Sequence, residues 1–252
     1  MATRGTKEPI KVFNTTMHPW SMDETLRYIQ ERVEGHLFTQ HVVVNVAKVV
    51  NMQGDEELRR AVEACDIVNI DGMGVVFGAR LLGFSVEERV AGIDLFERLL
   101  RLAEIQRYPV YFLGAKADVV QDVVRICEQR YPGLVVAGFY HGYFWNEEER
   151  IVRAIGESGA RLLFVAVPTP LKENFINRWR GSLGVDFVMG VGGSFDVFAG
   201  RVSRAPIWMQ TLGLEWLYRL MQEPSRMWRR YATTNLKFVG MVAREKMLKA
   251  RR

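Results

Sequence analysis

Six short apolar runs punctuate this chain, and each gives way to a stretch of helical periodicity. They are HVVVNVAKVV (41–50), DIVNI (66–70), PVYFLGA (109–115), LVVAGFYHG (134–142), ARLLFVAVP (160–168) and VDFVMGVGGSF (185–195). A strand that is apolar along its whole length is covered on both faces, which is the condition of a parallel sheet. Strands that alternate with helices therefore predict an α/β fold, a mostly parallel sheet with helices on both faces. The intervening helices are SMDETLRYIQERV, DEELRRAVEAC, GMGVVFGARLLG, GIDLFERLLRLAEIQR, ADVVQDVVRICEQRY, NEEERIVRAIGESG and LKENFINRWRGSL. In the first of these, Ser21 and Glu24 form a capping-box signature. Ahead of it lies only a short N-terminal arm. A chain of 252 residues can close a full core around such a sheet.

Ligands bind at the carboxyl ends of parallel strands. That places Asn45, Asp71, Gly114, Pro168, Gly192 and Gly193 along one rim. Asp71 opens VNIDGMGVVFGARLLG and has two readings. It is the N-cap of the next helix, or it is a general base or a ligand to a sugar hydroxyl. In GVGGSFDVFAG (190–200) the glycines make a tight turn, or they bring backbone N–H groups close to a phosphate. The spacing is not the G-x-G-x-x-G dinucleotide fingerprint. Arg89, in VEERVAGIDL, either pairs with Glu87 or Glu88 at the surface or binds diphosphate oxygens with its planar fork.

Charge is unevenly spread. Residues 201–252 carry 12 Lys/Arg against 3 Asp/Glu, while the rest of the chain carries 22 against 26. The same segment holds Trp208, Trp216 and Trp228. Leu214, Leu217, Leu220 and Met221 recur there at helical spacing, interleaved with Arg219, Arg226, Arg229 and Arg230. A basic amphipathic helix with tryptophans suits an anionic membrane surface. Nucleic acid is a competing reading, and so is a helix docked on the body or on another subunit.

Other classes find little support. Cys65 and Cys127 lack metal-ligand spacing and read as thiols in a reducing compartment. The four histidines form no close pair, and no D-x-D metal motif occurs. The opening MATRGTKEPIKVF lacks the apolar core of a signal peptide. No run approaches the roughly 20 apolar residues of a spanning helix. The expected location is the cytoplasm, or at most the periphery of a membrane.

Several segments together resemble the WecG/TagA/CpsF glycosyltransferases: NIDGMGVVFGARLLG, ERVAGIDLFERLL, VYFLGAK, GVGGSFDVFAGRVSRAP and LGLEWLYRLMQEPSRMWRRY. The likeness runs from about His41 to about Tyr231. It implies a Rossmann-like catalytic domain over 1–200 and a membrane-associating helical appendage over 201–252. It also implies transfer, with inversion, of a sugar from a UDP-sugar to a sugar on undecaprenyl diphosphate, without a cofactor or metal. By position, Asp71 matches the family's proposed base and Arg89 an arginine that contacts substrate phosphate. Asn45 matches an asparagine on the first rim strand. Gly192, Gly193 and Ser194 match the glycine turn near the nucleotide. Arg219, Arg226 and Arg229 match appendage arginines at the diphosphate.

The chain departs from the pattern at three places. Val43 stands where many members have Thr. The run Pro168-Thr169-Pro170-Leu171-Lys172-Glu173 replaces Gly-x-Pro-x-Gln-Glu, so Lys172 takes the Gln position and Pro168 the Gly. Lys172 and Glu173 are read as substrate contacts that bear on the donor: N-acetylmannosamine, its uronate or glucose. The expected partners are this UDP-sugar, a polyprenyl-diphosphate-linked sugar and an anionic membrane surface. Nucleic acid is not among them, and a homo-oligomer is compatible with the sequence. The alternative is a catalytically decayed module that only binds a nucleotide sugar.

Overall fold

A computed structural model describes residues 7–250. The chain opens with β1 (Ile10–Val12), β2 (Thr15–Met17) and α1 (Met22–Glu34). It continues through β3 (Thr39–Val44), α2 (Val46–Asn51), α3 (Glu56–Glu63), β4 (Ile67–Ile70) and α4 (Met73–Leu81). Then come α5 (Gly92–Gln106), β5 (Val110–Gly114), α6 (Ala117–Arg130), β6 (Val136–Tyr140) and α7 (Glu148–Glu157). The sheet is completed by β7 (Leu162–Ala166), α8 (Leu171–Trp179) and β8 (Phe187–Gly190). Four helices follow: α9 (Ser194–Phe198), α10 (Ile207–Thr211), α11 (Glu215–Gln222) and α12 (Pro224–Ala250).

The six apolar runs supply the six strands of one parallel sheet, in the order β4-β3-β8-β7-β5-β6. Period-2 alternation sends successive side chains to opposite faces. On β7, Leu162 and Phe164 enter one core, with Phe96, Leu99 and Phe195 from α5 and α9. Leu163 and Val165 enter another, with Ile151, Ile155, Phe175 and Ile176 from α7 and α8. A third core joins Val42, Val44, Val68 and Ile70 to Val75, Val76, Phe238 and Val242. Helices thus cover both faces, as the apolar strands require.

The N-terminal arm is more than an arm. β1 and β2 pair as an antiparallel hairpin outside the main sheet, and Val12, Phe13 and Met17 are buried in the third core. Its tight turn holds Phe13 and Asn14 at positive φ, and three-residue strands carry too little periodicity to announce themselves. The capping box at Ser21 and Glu24 is present.

The basic C-terminal segment forms three helices. α12 lies against α2 and α4. The ring of Phe238 and a methyl of Val242 come so close to Gly78 that a Cβ there would sit 2.9 Å from Phe238 and 3.2 Å from Val242. Lys249 closes the contact by donating to the Leu82 carbonyl at 3.0 Å. No side chain of α11 is buried. Ile207, Trp208, Leu212, Trp216, Met221 and Trp228 are all exposed large apolar residues on α10 to α12. Among the described residues no helix is long and apolar enough to cross a membrane.

Candidate active site

The carboxyl ends of the strands gather two charged clusters, and α2 stands between them. The first surrounds Asp71. β4 ends at Ile70, and the Asp71 N–H donates to the Val44 carbonyl of β3. This places the carboxylate just past the sheet edge. The helix that follows is capped by Gly72, with no side-chain cap hydrogen bond. The cap reading of Asp71 therefore fails. Its carboxylate turns instead toward the N-terminus of α5, where it accepts a backbone hydrogen bond from Gly92.

Arg89 is the nearest cation, with Nη1 4.0 Å from Asp71 Oδ1. It does not pair with Glu87 or Glu88. Glu87 meets Lys7, and Glu88 accepts from the Met22 N–H at the start of α1. Arg89 reaches across to α11, and its Nη1 lies 2.5 Å from Glu215 Oε2. The other Glu215 oxygen is 3.5 Å from Arg204 Nε. Arg204 in turn holds Asp94 of α5 through both terminal nitrogens, at 2.5 and 2.8 Å. A chain of alternating charge thus runs Asp71, Arg89, Glu215, Arg204, Asp94, and it stitches the C-terminal segment to the sheet rim.

These groups are half-withdrawn from solvent: the side chains of Asp71, Arg89 and Glu215 are 27%, 15% and 22% exposed. Burial pushes the Asp71 carboxyl up to about 6. Arg89, Arg219 and the Gly92 N–H pull against that rise, while the charge of Glu215 adds to it. Burial also opposes ionisation of Glu215, but Arg89, Arg204 and Arg219 outweigh it and hold this carboxyl below its ordinary range. One carboxylate is thereby poised near neutrality beside another that stays charged.

The second cluster sits at the β7–α8 turn and is buried. Lys48 Nζ lies 2.8 Å from Glu173 Oε1 and donates to the Val43 carbonyl at 2.9 Å. Lys172 Nζ is 3.0 Å from the same Glu173 oxygen and donates to Thr169 Oγ1 at 2.6 Å. Thr169 Oγ1 donates to Glu173 at 3.0 Å. Two buried lysines thus outweigh the cost of burial and hold the Glu173 carboxyl at about 2. The Lys172 stem packs flat on Gly190, where a Cβ would sit 2.8 Å from its Cδ. Its ammonium faces Gly192, at 4.0 Å from the Cβ position there.

Asn45 caps α2, its side-chain oxygen accepting from the Lys48 N–H at 3.0 Å. Its Cα and Cβ lie 3.3 Å from the Cβ position of Gly72. One end of α2 thus touches the Asp71 loop, and Lys48 within it anchors the Glu173 cluster. Gly192 adopts φ +53, Gly193 caps α9, and Ser194 starts that helix. These three share with Asp71 the carboxyl rim of the sheet. Arg219 lies within electrostatic reach of Asp71 and Glu215. Arg229 is exposed, with its guanidinium 5.6 Å from the Trp228 ring. The side chain of Arg226 lies outside the described residues. Among the described residues no three His, Cys, Asp or Glu side chains group as metal ligands.

Sequence reasoning missed Glu215, Arg204, Asp94 and Lys48. Two carried a signal. Lys48 is a lone cation inside an apolar run, and a buried lysine must be paired. Glu215 is a rare acid in a segment of positive charge.

Comparison with known proteins shows the family. A family model described as "Glycosyl transferase WecG/TagA/CpsF family" matches residues 10–252. Two relatives carry the name N-acetylglucosaminyldiphosphoundecaprenol N-acetyl-beta-D-mannosaminyltransferase. One, from Bacillus subtilis (strain 168), is 34% identical over 216 residues, covering 83% of this chain and 82% of the relative. The other, from Bacillus spizizenii (strain ATCC 23059 / NRRL B-14472 / W23), is 38% identical over 167 residues, covering 66% of this chain and 64% of the relative. With a family model matched over nearly the whole chain and a relative 34% identical across 83% of it, this chain belongs to the WecG/TagA/CpsF family of glycosyltransferases.

Proposed function

We propose that this protein transfers a hexose-type sugar, with inversion, from a UDP-sugar to a sugar carried on a polyprenyl diphosphate. The observation that carries this reading is Asp71: a carboxylate at the carboxyl rim, its pKa raised to about 6, facing a row of arginines. A carboxyl with a pKa of about 6 is largely ionised at neutral pH and more basic than an ordinary carboxylate, the balance that general-base catalysis favours. Asp71 takes the proton of the acceptor hydroxyl as that oxygen attacks the anomeric carbon of the donor. The bond from that carbon to the UDP oxygen breaks on the opposite face, and the departing diphosphate gathers negative charge. Arg89 and Arg219 lie close enough to stabilise that charge, a role that preorganised cations perform well in a partly desolvated site. Arg229 adds a further exposed cation on α12.

The named relatives transfer N-acetylmannosamine, which favours that sugar as the donor here. Lys172 is a wall of the site rather than a free hand. Its ammonium is engaged by Thr169 and Glu173, so it shapes the pocket beside Gly192. The exposed tryptophans and arginines of α10 to α12 serve as the membrane-facing surface, where each cation near an anionic bilayer adds ~1 kcal/mol.

The test uses purified full-length enzyme, UDP-N-acetylmannosamine alongside UDP-glucose, and a short-chain polyprenyl-diphosphate N-acetylglucosamine. Asp71→Asn is expected to retain UDP binding and lose turnover by ~100-fold or more. Full activity in Asp71→Asn would remove the base assignment.

A further inference from the structure

We propose that Glu215 is a positioning residue for this reaction: a carboxylate on α11 that holds the Arg89 guanidinium off Asp71 and so completes the site from the C-terminal segment. The proposal rests on the reading of Asp71 as the base.

The geometry carries it. Arg89 has two carboxylates within reach and contacts them unequally, Glu215 at 2.5 Å and Asp71 at 4.0 Å. A full ion pair with Asp71 would stabilise the carboxylate form and leave a weaker base. Glu215 occupies the guanidinium instead. Glu215 is itself fixed from the far side by Arg204, and Arg204 is held by a two-point pair with Asp94. The carboxylate is therefore tied between two arginines, one of which is anchored to α5. That is the same helix whose first residue, Gly92, donates its N–H to Asp71.

The charged groups around Asp71 come from every element packed there. Arg89 comes from the loop before α5, Arg204 from the loop before α10, and Glu215 and Arg219 from α11. Asp94 lies on α5 behind Arg204. Removing the Glu215 charge acts on Asp71 in one direction by two routes. It deletes a negative neighbour that favours the neutral acid, and it frees Arg89 to close on the carboxylate.

The experiment is the pH dependence of kcat/KM for wild type, Glu215→Gln and Glu215→Asp, with UDP-N-acetylmannosamine and the lipid acceptor above. UDP affinity and unfolding midpoint are measured in parallel. In Glu215→Gln the acid limb is expected to move down by about 1 pH unit. Its plateau falls ~10-fold while UDP affinity changes by less than ~3-fold. Glu215→Asp restores the limb toward its wild-type position. A purely structural role would lower the unfolding midpoint and leave the acid limb in place, and that result overturns the proposal. So does a Glu215→Gln profile that superimposes on wild type while Asp71→Asn is inactive. An active Asp71→Asn instead sinks the base assignment, which separates the two failures.

Discussion

Replacing Glu173 by Gln tests how the rim is held together. Glu173 is 2% exposed and pairs with two lysines, Lys48 and Lys172, themselves 7% and 6% exposed. Gln keeps the shape and removes the charge. Two ammonium groups are then left in a poorly solvated pocket. Breaking a buried pair from one side costs about 3–5 kcal/mol, because the surviving charge has no counterion. For a chain of this size that corresponds to a fall of ~6–20 °C in unfolding midpoint.

The carboxyl titrates at about 2 in the fold against an ordinary value of 4.5. A depressed acid contributes stability above its unfolded value and loses it as pH falls through the folded one. The gap between wild type and Glu173→Gln should therefore be full above pH 4.5 and narrow by about 3 kcal/mol toward pH 2. Urea unfolding followed by circular dichroism reads this directly, with the midpoint falling and the slope unchanged. Adding Lys48→Met to Glu173→Gln removes one orphan charge and should recover part of the loss. A loss below ~1 kcal/mol in the single variant, or none recovered in the double, would refute the argument that the cluster is held by charge.

Two further outcomes follow from other parts of the molecule. His41 is 1% exposed, lies 2.9 Å from Asn69 Oδ1, and is pulled down to about 4 by burial. Its stabilising effect is present above pH 6.5 and fades as pH drops toward 4, so wild type and His41→Gln should converge by about 3 kcal/mol over that window. Convergence at higher pH, or none, would remove His41 from the acid response. At the exposed C-terminal helices proposed to meet the membrane, Trp208→Ser together with Trp216→Ser should weaken sedimentation with anionic vesicles by ~10-fold or more while leaving UDP affinity intact. Undiminished sedimentation would move the membrane contact elsewhere.

The strands were legible because burial on both faces writes itself into composition: LLFVA and VYFLG admit few other readings. The rim followed from topology alone, since parallel strands point their carboxyl ends the same way. The hairpin of β1 and β2 was not legible, because its burial comes from α12, more than 200 residues away in sequence: Phe13 packs on Phe238 at 5.0 Å, and its N–H donates to Glu245. Likewise Arg89 had two acidic neighbours in sequence and chose neither. Adjacent residues on an extended loop point apart, whereas Glu215 arrives from α11 with its carboxylate already braced by Arg204. Sequence distance hides such a pair, and no local pattern marks it.

That hidden pair bears on how the catalytic machinery is divided. Asp71 and Arg89 lie at the sheet rim, yet Glu215, the group proposed to keep Arg89 off Asp71, belongs to the C-terminal helices. The same helices expose the tryptophans proposed to meet the membrane. A displacement of α11 away from the rim would move Glu215 with it and free Arg89 to close on Asp71. On the proposed assignment of Asp71 as base, the placement of α11 is one determinant of its strength beside burial, acting through the Arg89–Glu215 ion pair. An enzyme built this way would be weakest as a catalyst when its appendage is out of place.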